Sequence, residues 1–169
     1  MHPARSVSEI DWTTWEPTDV ATLVFVLRDD EILLIRKKRG LGAGKINGPG
    51  GRLDPGETPH ACAIRETQEE LGITPLEVVH HGENRFQFID GYSIHVHVYV
   101  AQAFDGTPIE TDEAIPMWTS RDALPYDEMW ADDILWLPHV LEGHRIDGRY
   151  IFDGDTMLDH AVEIEALSS

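Results

Sequence analysis

The sequence predicts an α/β fold in which a mixed β-sheet lies between helices, an α/β/α sandwich. Short apolar or alternating runs, typical of strands, stand before and after one well-marked central helix, and a second helical pattern follows late in the chain. The sequence contains no internal repeat or low-complexity linker, and 169 residues suffice for one domain with a substantial core. We therefore expect a single domain over residues 19–169.

The chain begins with an extension and a pair of strands. Residues 1–18 show no apolar periodicity, and they form either a disordered tail or a strap packed by Trp12 and Trp15. The two tryptophans favour the strap. Residues 20–27 and 31–36 are apolar runs that meet at two adjacent aspartates, which predicts two strands with a tight connection.

The central helix carries its own boundary signals. Thr58 is a good N-cap, Pro59 suits the first helical position, and Gly72 can adopt the left-handed conformation that ends a helix. The helix should therefore span residues 59–71. Its periodicity crowds three acids on one face and turns its apolar residues toward a core; the acids are Glu66, Glu69 and Glu70.

The second half of the chain predicts further strands around a late helix. Residues 85–89 and 92–100 alternate as antiparallel strands do, with Gly91 in the turn between them. Residues 115–118 form a short predicted strand. A helix should begin at Asp132 or Asp133 and run to about residue 141, where Gly143 ends it, and residues 150–152 and 161–164 should be edge strands.

Four histidines are candidate metal ligands, His80 with His81 and His95 with His97. The second pair lies two residues apart on one predicted strand, opposite its aliphatic face. No third ligand stands near this pair in the sequence. We therefore expect all four to be structural or solvent-facing.

The composition excludes several classes of function. A net charge of −18 argues against binding a nucleic acid polymer, which needs a broad basic surface. No apolar run approaches the ~20 residues that cross a bilayer and no secretory signal opens the chain, so we expect a cytoplasmic protein without a membrane partner. The single cysteine, Cys62, excludes an intramolecular disulfide and should be a small core residue.

Basic and acidic residues are both concentrated around the central helix. Three carboxylates on one helix face repel one another, and a hard cation such as Mg²⁺, or alternatively Mn²⁺, would neutralise them beside substrate phosphates. The other interpretation is a solvated acidic face, the usual fate of a charge run. Six of the 13 basic residues precede the helix, where they could bind phosphates: Arg36, Lys37, Lys38, Arg39, Lys45 and Arg52.

The acids belong to a longer pattern, G-x5-E-x7-R-E-U-x-E-E-x-G-U, in which U is an aliphatic residue. The matching residues are Gly51, Glu57, Arg65, Glu66, Glu69, Glu70, Gly72 and Ile73. This pattern resembles the Nudix box, and the chain is identified as a member of the Nudix hydrolase family. Thr67 departs from the pattern, and we expect only a small packing change there because its hydroxyl can bond back to the carbonyl of residue 63.

The likeness extends over about residues 22–165 to the oxidised purine nucleoside triphosphatase branch, whose members include MutT-related 8-oxo-dGTP diphosphatases. The resemblance implies the Nudix fold and hydrolysis of a nucleoside triphosphate to the monophosphate and pyrophosphate, which cleanses the nucleotide pool. It implies a substrate site made of Lys37, Asn47, Phe86, Phe88, Trp130, Asp132 and Asp133. Leu41, Ile94 and Ala114 depart from that branch, and they leave the preferred base open.

The resemblance also assigns roles within the box. The expected metal ligands are the Gly50 carbonyl, Glu66, Glu69, Glu70 and Glu113, and the expected catalytic residues are Glu69, oriented by Arg65, and Glu113. Gly51, Glu57 and Gly72 should be structural. We expect a monomer that binds a small-molecule nucleoside triphosphate.

Several alternatives accompany these assignments. The substrate could be ADP-ribose, a dinucleotide or capped RNA, although the elements that those activities use are not recognisable in the sequence. Isopentenyl diphosphate isomerase shares the fold but uses a catalytic cysteine, and a nonhydrolytic nucleotide sensor would show eroded glutamates. Among single residues, Trp130 could belong to the core, Asn47 could stabilise a turn, and Asp132 could be a helix N-cap.

Overall fold

The computed structural model describes residues 3–165 and contains one mixed sheet with two helices. The elements are β1 (Asp19–Arg28), β2 (Glu31–Lys37), β3 (Ile46–Asn47), β4 (Gly50–Arg52), α1 (Pro59–Leu71), β5 (Thr74–Phe88), β6 (Ser93–Asp105), β7 (Ala114–Ser120), α2 (Asp133–Leu141), β8 (Arg145–Asp153) and β9 (Thr156–Glu165). The strand order is β3-β2-β1-β6-β5-β8-β9, with β4 paired to β1 and β7 paired to β2.

The helices cover opposite faces of the sheet. Successive residues of β1 point to opposite faces, so Val24 packs with the α1 residues and Phe25 packs with the α2 residues. Leu71 of α1 and Trp136 of α2 are both fully buried in these two cores. The predicted α/β/α sandwich with a mixed sheet is therefore confirmed.

The predicted bounds of α1 are confirmed by its caps. The Thr58 hydroxyl accepts a hydrogen bond from the amide of Ala61, and Gly72 ends the helix with a left-handed φ of 73°. Cys62 is fully buried on this helix, as expected. The hydroxyl of Thr67 donates to the carbonyl of Ala63 at 2.8 Å, so the one departure from the Nudix pattern is satisfied within the helix.

Two strand predictions are corrected by the structure. The strand predicted for residues 150–152 is not at an edge: β8 lies inside the sheet, parallel to β5 on one side and antiparallel to β9 on the other. The strand predicted for residues 85–89 begins much earlier, because β5 starts directly after the cap of α1. Both differences arise from pairing with chain segments that are distant in sequence, which local patterns do not record.

Residues 3–18 contact the sheet through several side chains. Trp15 donates a hydrogen bond to Gln87 at 2.9 Å, and the amide of Val7 donates to Asp159 at 2.7 Å. The rings of Trp12 and Trp15 pack with their centroids 5.3 Å apart. Neither helix among the described residues is long and apolar enough to cross a membrane.

Candidate active site

The acidic face of α1 is completed by a carboxylate from another part of the chain. Glu66 and Glu70 lie one turn apart on α1, and Glu113 reaches them from the loop before β7. One oxygen from each of these three carboxylates lies within 4.8 Å of the others. Three convergent carboxylates fit a hard divalent cation such as Mg²⁺, which prefers oxygen ligands.

Two glycines allow β4 to run close to this face. A Cβ built on Gly51 would lie 2.4 Å from the carboxylate carbon of Glu66, so no larger residue fits between β4 and α1. A Cβ on Gly50 would lie 1.9 Å from the carbonyl oxygen of Thr22 on β1. The glycines therefore place the backbone of β4 directly beside the convergent carboxylates.

Glu70 is buried in a way that a solvated acidic face would not be. The residue is 4% exposed, so the solvated interpretation is wrong for it. Burial, followed by the charges of Glu66 and Glu113, raises the pKa of Glu70 to about 8, and Lys37 opposes that shift. Burial also raises the pKa of Glu66, against a hydrogen bond from Arg65. A divalent cation would supply the positive charge that these carboxylates lack.

Arg65 connects the acids of the pattern. Its Nε and one terminal nitrogen donate to the two oxygens of Glu57 at 2.7 and 2.8 Å. The other terminal nitrogen donates to Glu66 at 2.8 Å and to Glu69 at 3.1 Å. The hydrogen bonds from Arg65 lower the pKa of Glu57 to about 2. Arg65 thus holds the loop before α1 against the helix and orients two of its carboxylates.

Glu69 lies beside the three convergent carboxylates and is not one of them. Its side chain is 51% exposed and meets Arg65 at 3.1 Å. Glu113 pairs with Arg39 at 3.1 Å. The hydroxyl of Thr111 donates to the carbonyl of Glu70 at 2.7 Å, which fastens the Glu113 loop to the end of α1. Both acids therefore stay predictions for the general base.

The carboxylates open into a cavity of about 510 Å³. This volume is in the range of sites that hold a nucleotide-sized ligand. The cavity is lined by all the residues expected to bind substrate and by the acids expected to bind metal: Lys37, Asn47, Phe86, Phe88, Trp130, Asp132 and Asp133 with Glu66, Glu69, Glu70 and Glu113. One cavity thus joins the two groups of predicted site residues.

Aromatic rings form one wall of the cavity. Phe86 stacks on Tyr150 with ring centroids 4.8 Å apart, and Phe88 meets Trp130 edge to face at 6.3 Å. Trp130 also packs edge to face on Phe152. The indole of Trp130 is only partly buried, so it lies against the core and still borders the cavity. Such a surface suits the flat face of a base.

Asp132 and Asp133 are buried acids at the same end of the cavity. Asp132 occupies the N-cap position of α2, but its side chain makes no capping bond; Oδ2 accepts from the indole of Trp136 at 2.8 Å. Asp132 is therefore the N-cap residue of α2, as the alternative interpretation held, but its side chain does not cap the helix. Asp132 Oδ1 and Asp133 Oδ2 are buried and find no hydrogen-bond partner among residues 3–165. Burial raises the pKa of both carboxyls, and the charge of Asp132 adds to the shift at Asp133.

Two expected substrate residues make local bonds as well. The ammonium of Lys37 donates to the carbonyl of Leu41 at 2.8 Å, and burial lowers the pKa of Lys37. Asn47 Oδ1 accepts from the amide of Gly48 at 2.8 Å, so the turn-stabilising bond is present in a residue that also borders the cavity.

The basic cluster seen in the sequence is divided by the fold. Three of its members line the cavity, namely Lys37, Arg39 and Arg52. The other three are not among the lining residues: Arg36 pairs with Glu128, Lys38 with Glu110 and Lys45 with Asp155. Of the lining residues, Arg39 pairs with Glu113 and Arg52 with Asp19. The expectation that the whole cluster serves phosphates is therefore only half supported by position.

Tyr92 and Trp136 were not predicted from the sequence as site residues. Both line the cavity, and the Tyr92 hydroxyl donates to Asp19 at 2.9 Å. No local pattern distinguishes Tyr92 from any aromatic residue at the start of a strand. Its position follows from the parallel pairing of β6 with β1, which places Ile94 beside Asp19.

Comparisons with known proteins agree with the fold and with the helix motif. The NUDIX domain model matches residues 17–140. The chain is 43% identical to the oxidized purine nucleoside triphosphate hydrolase of Danio rerio, over 86% of this chain and 96% of that protein. It is 38% identical to the Mus musculus protein of the same name, over 83% and 92%.

A solved structure extends the agreement to three dimensions. The mutator MutT protein from Bacillus halodurans superposes with a TM-score of 0.77 at 25% identity, covering 86% of this chain and 97% of that one. The fold of this chain is therefore shared with that structure over most of both chains. The chain belongs to the Nudix hydrolase family.

Proposed function

We propose that this Nudix hydrolase converts oxidised purine nucleoside triphosphates and water to the nucleoside monophosphate and pyrophosphate, with Mg²⁺ as the cofactor. The observation that carries the proposal is that one cavity is lined both by the carboxylates of α1 and by the aromatic rings and buried acids of the α2 end. The relatives from Danio rerio and Mus musculus bear the name of this activity.

The phosphate end of the site is built from oxygen donors and cations. Glu66, Glu70 and Glu113 would hold Mg²⁺, with the Gly50 carbonyl as a further ligand. Bound Mg²⁺ would neutralise charge on the phosphates and position them for attack by water. Lys37 lines the same region, and its ammonium would contact the phosphates or the sugar.

The general base is either Glu69, which lies outside the convergent group, or Glu113, which would then act as the base in place of its role as a metal ligand. Glu69 is half exposed and is held by Arg65, so it can accept a proton from water and pass it to solvent. Glu113 is the second candidate; it lines the cavity and pairs with Arg39 at 3.1 Å. In either case one proton leaves the attacking water as the phosphoanhydride bond breaks.

The base end of the site can recognise purine edges. Trp130 offers a stacking face to any purine, so selectivity must come from polar edges. Two adjacent buried carboxyls repel, and the pair Asp132 and Asp133 can hold one proton between them. With one proton, the pair presents a hydrogen-bond donor beside an acceptor. Moving the proton from one carboxyl to the other would let the pair match the edge of either oxidised guanine or oxidised adenine.

A hydrolysis assay over a panel of nucleotides tests the proposal. Pyrophosphate release is measured for the triphosphates, and AMP release is measured for ADP-ribose, whose hydrolysis yields AMP and ribose 5-phosphate. The panel contains 8-oxo-dGTP, 2-hydroxy-dATP, dGTP, dATP and ADP-ribose, each with Mg²⁺ and with excess chelator. We expect Mg²⁺-dependent release from the two oxidised nucleotides at higher kcat/KM than from their unoxidised forms, and no turnover with chelator. Higher kcat/KM for ADP-ribose than for every triphosphate would contradict the proposal.

Matched variants connect the activity to the carboxylates. Glu66→Gln should lower kcat by at least about 100-fold, because it removes a ligand charge at the metal. Glu163→Gln, the same change at an exposed position on β9, should leave kcat unaltered. The monomeric state and the cytoplasmic location stay predictions of the sequence.

A further inference from the structure

A second group of potential ligands lies on β5 and β6, away from the carboxylates of α1. One ligand atom from each of His80, Glu83 and His97 lies within 4.8 Å of the others. His80 Nε2 is 3.1 Å from His97 Nδ1, and Glu83 Oε1 is 3.8 Å from the same nitrogen. The expectation that His97 lacks further ligands is therefore wrong, because His80 and Glu83 approach it from β5; His95, its predicted partner, is not in this group.

A bulge in β5 brings the three residues together. In a regular strand, residues three apart point to opposite faces, so His80 and Glu83 would be separated by the sheet. The pairing of β5 with β6 shifts register between these two residues, and the extra residue turns both toward the face of His97. Gly82 within the bulge has a φ of 122°, and a Cβ there would lie 2.0 Å from the Ile146 carbonyl oxygen.

We propose that His80, Glu83 and His97 form a second metal site that takes a transition-metal ion such as Zn²⁺. Two imidazole nitrogens and one carboxylate oxygen are a common ligand set for four-coordinate Zn²⁺, with water in the fourth position. Bonds of about 2.0–2.1 Å at tetrahedral angles separate ligand atoms by about 3.3 Å. The separations of 3.1 and 3.8 Å between these atoms need only small side-chain movements to reach that geometry.

The two sites differ in chemistry and in position. The α1 site offers carboxylates alone and suits Mg²⁺, whereas the strand site is rich in imidazole and suits a softer ion. Gly51, Thr22, His97 and Glu83 stand in register across β4, β1, β6 and β5. Three strand spacings of about 4.8 Å put the Glu83 backbone about 14 Å from Gly51.

Neighbouring side chains both support and oppose the ion. His95 bonds Glu83 Oε1 at 2.6 Å and can hold the carboxylate in place. Burial is the main cause that lowers the pKa of His97, to about 4, so its ring is uncharged at neutral pH and free to bind a cation. Arg85 lies 3.7 Å from Glu83. Arg145 opposes binding, since it donates to His80 Nδ1 at 3.0 Å and so places the ring proton on Nε2, the ligand nitrogen.

The absorption spectrum of Co²⁺ added to the metal-free protein tests this site directly, because a four-coordinate nitrogen site and an octahedral oxygen site give different bands. We expect the tetrahedral bands in the wild type, in Glu70→Gln and in His160→Gln, an exposed histidine on β9. We expect Glu83→Gln and His97→Ala to lose them and to bind one equivalent less of Zn²⁺ in calorimetric titration. Tetrahedral bands that persist in Glu83→Gln, or that are absent from the wild type, would overturn the proposal.

Arg145 provides a test with the opposite sign. Arg145→Gln frees His80 Nδ1 to carry the ring proton, so we expect Zn²⁺ to bind at least about tenfold more tightly. Arg28→Gln, which removes the same charge from an exposed pair with Glu31, should leave the affinity unchanged. If Arg145→Gln leaves the Zn²⁺ affinity equal to that of Arg28→Gln, His80 is not a ligand and the site as proposed is refuted.

Discussion

Replacing Glu70 with glutamine should stabilise the metal-free protein while abolishing its activity. The carboxyl of Glu70 is buried beside two other acids, and its pKa rises from 4.5 to about 8. A carboxyl whose pKa is raised by folding does not destabilise the folded state at low pH, where it is protonated in both states. As the pH rises toward the pKa of the folded state, the unfolded state loses its proton first and the free energy of unfolding falls. The neutral amide of Glu70→Gln avoids the cost at every pH.

The expected magnitude follows from the two pKa values. Between pH 4.5 and about 8, the free-energy penalty in the wild type grows by about 1.4 kcal/mol for each pH unit. At pH 7 the penalty therefore amounts to about 3 kcal/mol. At pH 5 the penalty is below about 1 kcal/mol. The free energy of unfolding of Glu70→Gln should therefore exceed that of the wild type clearly at pH 7 and only slightly at pH 5.

Urea unfolding at both pH values, in excess chelator, measures this difference. Comparing the two pH values cancels any constant effect of the substitution itself. Glu69→Gln is the matched control, since it removes the same charge from a side chain that is 51% exposed and should gain little. Added Mg²⁺ should stabilise the wild type more than Glu70→Gln. The reasoning fails if Glu70→Gln gains no more than Glu69→Gln at pH 7, because Glu70 would then not be desolvated in the folded protein.

Three further substitutions test the contacts of the site. Gly51→Ala should lower kcat by about 100-fold without unfolding the protein, because its methyl group would displace the Glu66 carboxylate; normal kcat would contradict the close approach of β4. Arg65→Lys should lower the free energy of unfolding measured by urea titration, because the paired bonds to Glu57 are lost. Asp132→Asn should change the ratio of 8-oxo-dGTP to 2-hydroxy-dATP hydrolysis and flatten its change with pH, since burial raises the pKa of the Asp132 and Asp133 carboxyls; an unaltered ratio at pH 5.5 and 8 would place the base elsewhere.

Local signals predicted the helix and its motif correctly because short-range interactions decide them. The cap bond of Thr58 and the left-handed Gly72 involve residues within one turn of the helix ends. The spacing of Glu66 and Glu70 likewise follows from the helical repeat alone. Alternation along β6 was visible because one face of that strand is buried in the core.

Long-range pairing decided the features that local patterns missed. The inner position of β8 depends on its parallel pairing with β5, between segments some sixty residues apart. The bulge at Gly82 has no distinctive local pattern, yet it alone turns His80 and Glu83 to one face. The convergence of Glu113 with α1 likewise depends on a loop that returns to the end of the helix.

The sequence by itself determined the family, the central helix and the identity of the acids that line the site, since these are encoded in residue type and spacing. Only the tertiary structure decided which of those acids are buried and which basic residues remain at the cavity. Glu70 and Asp132 are desolvated because elements distant in sequence close over them. Arg36, Lys38 and Lys45 are paired with acids that the fold brings beside them. Burial and charge pairing are properties of the packed chain, so no local pattern could record them.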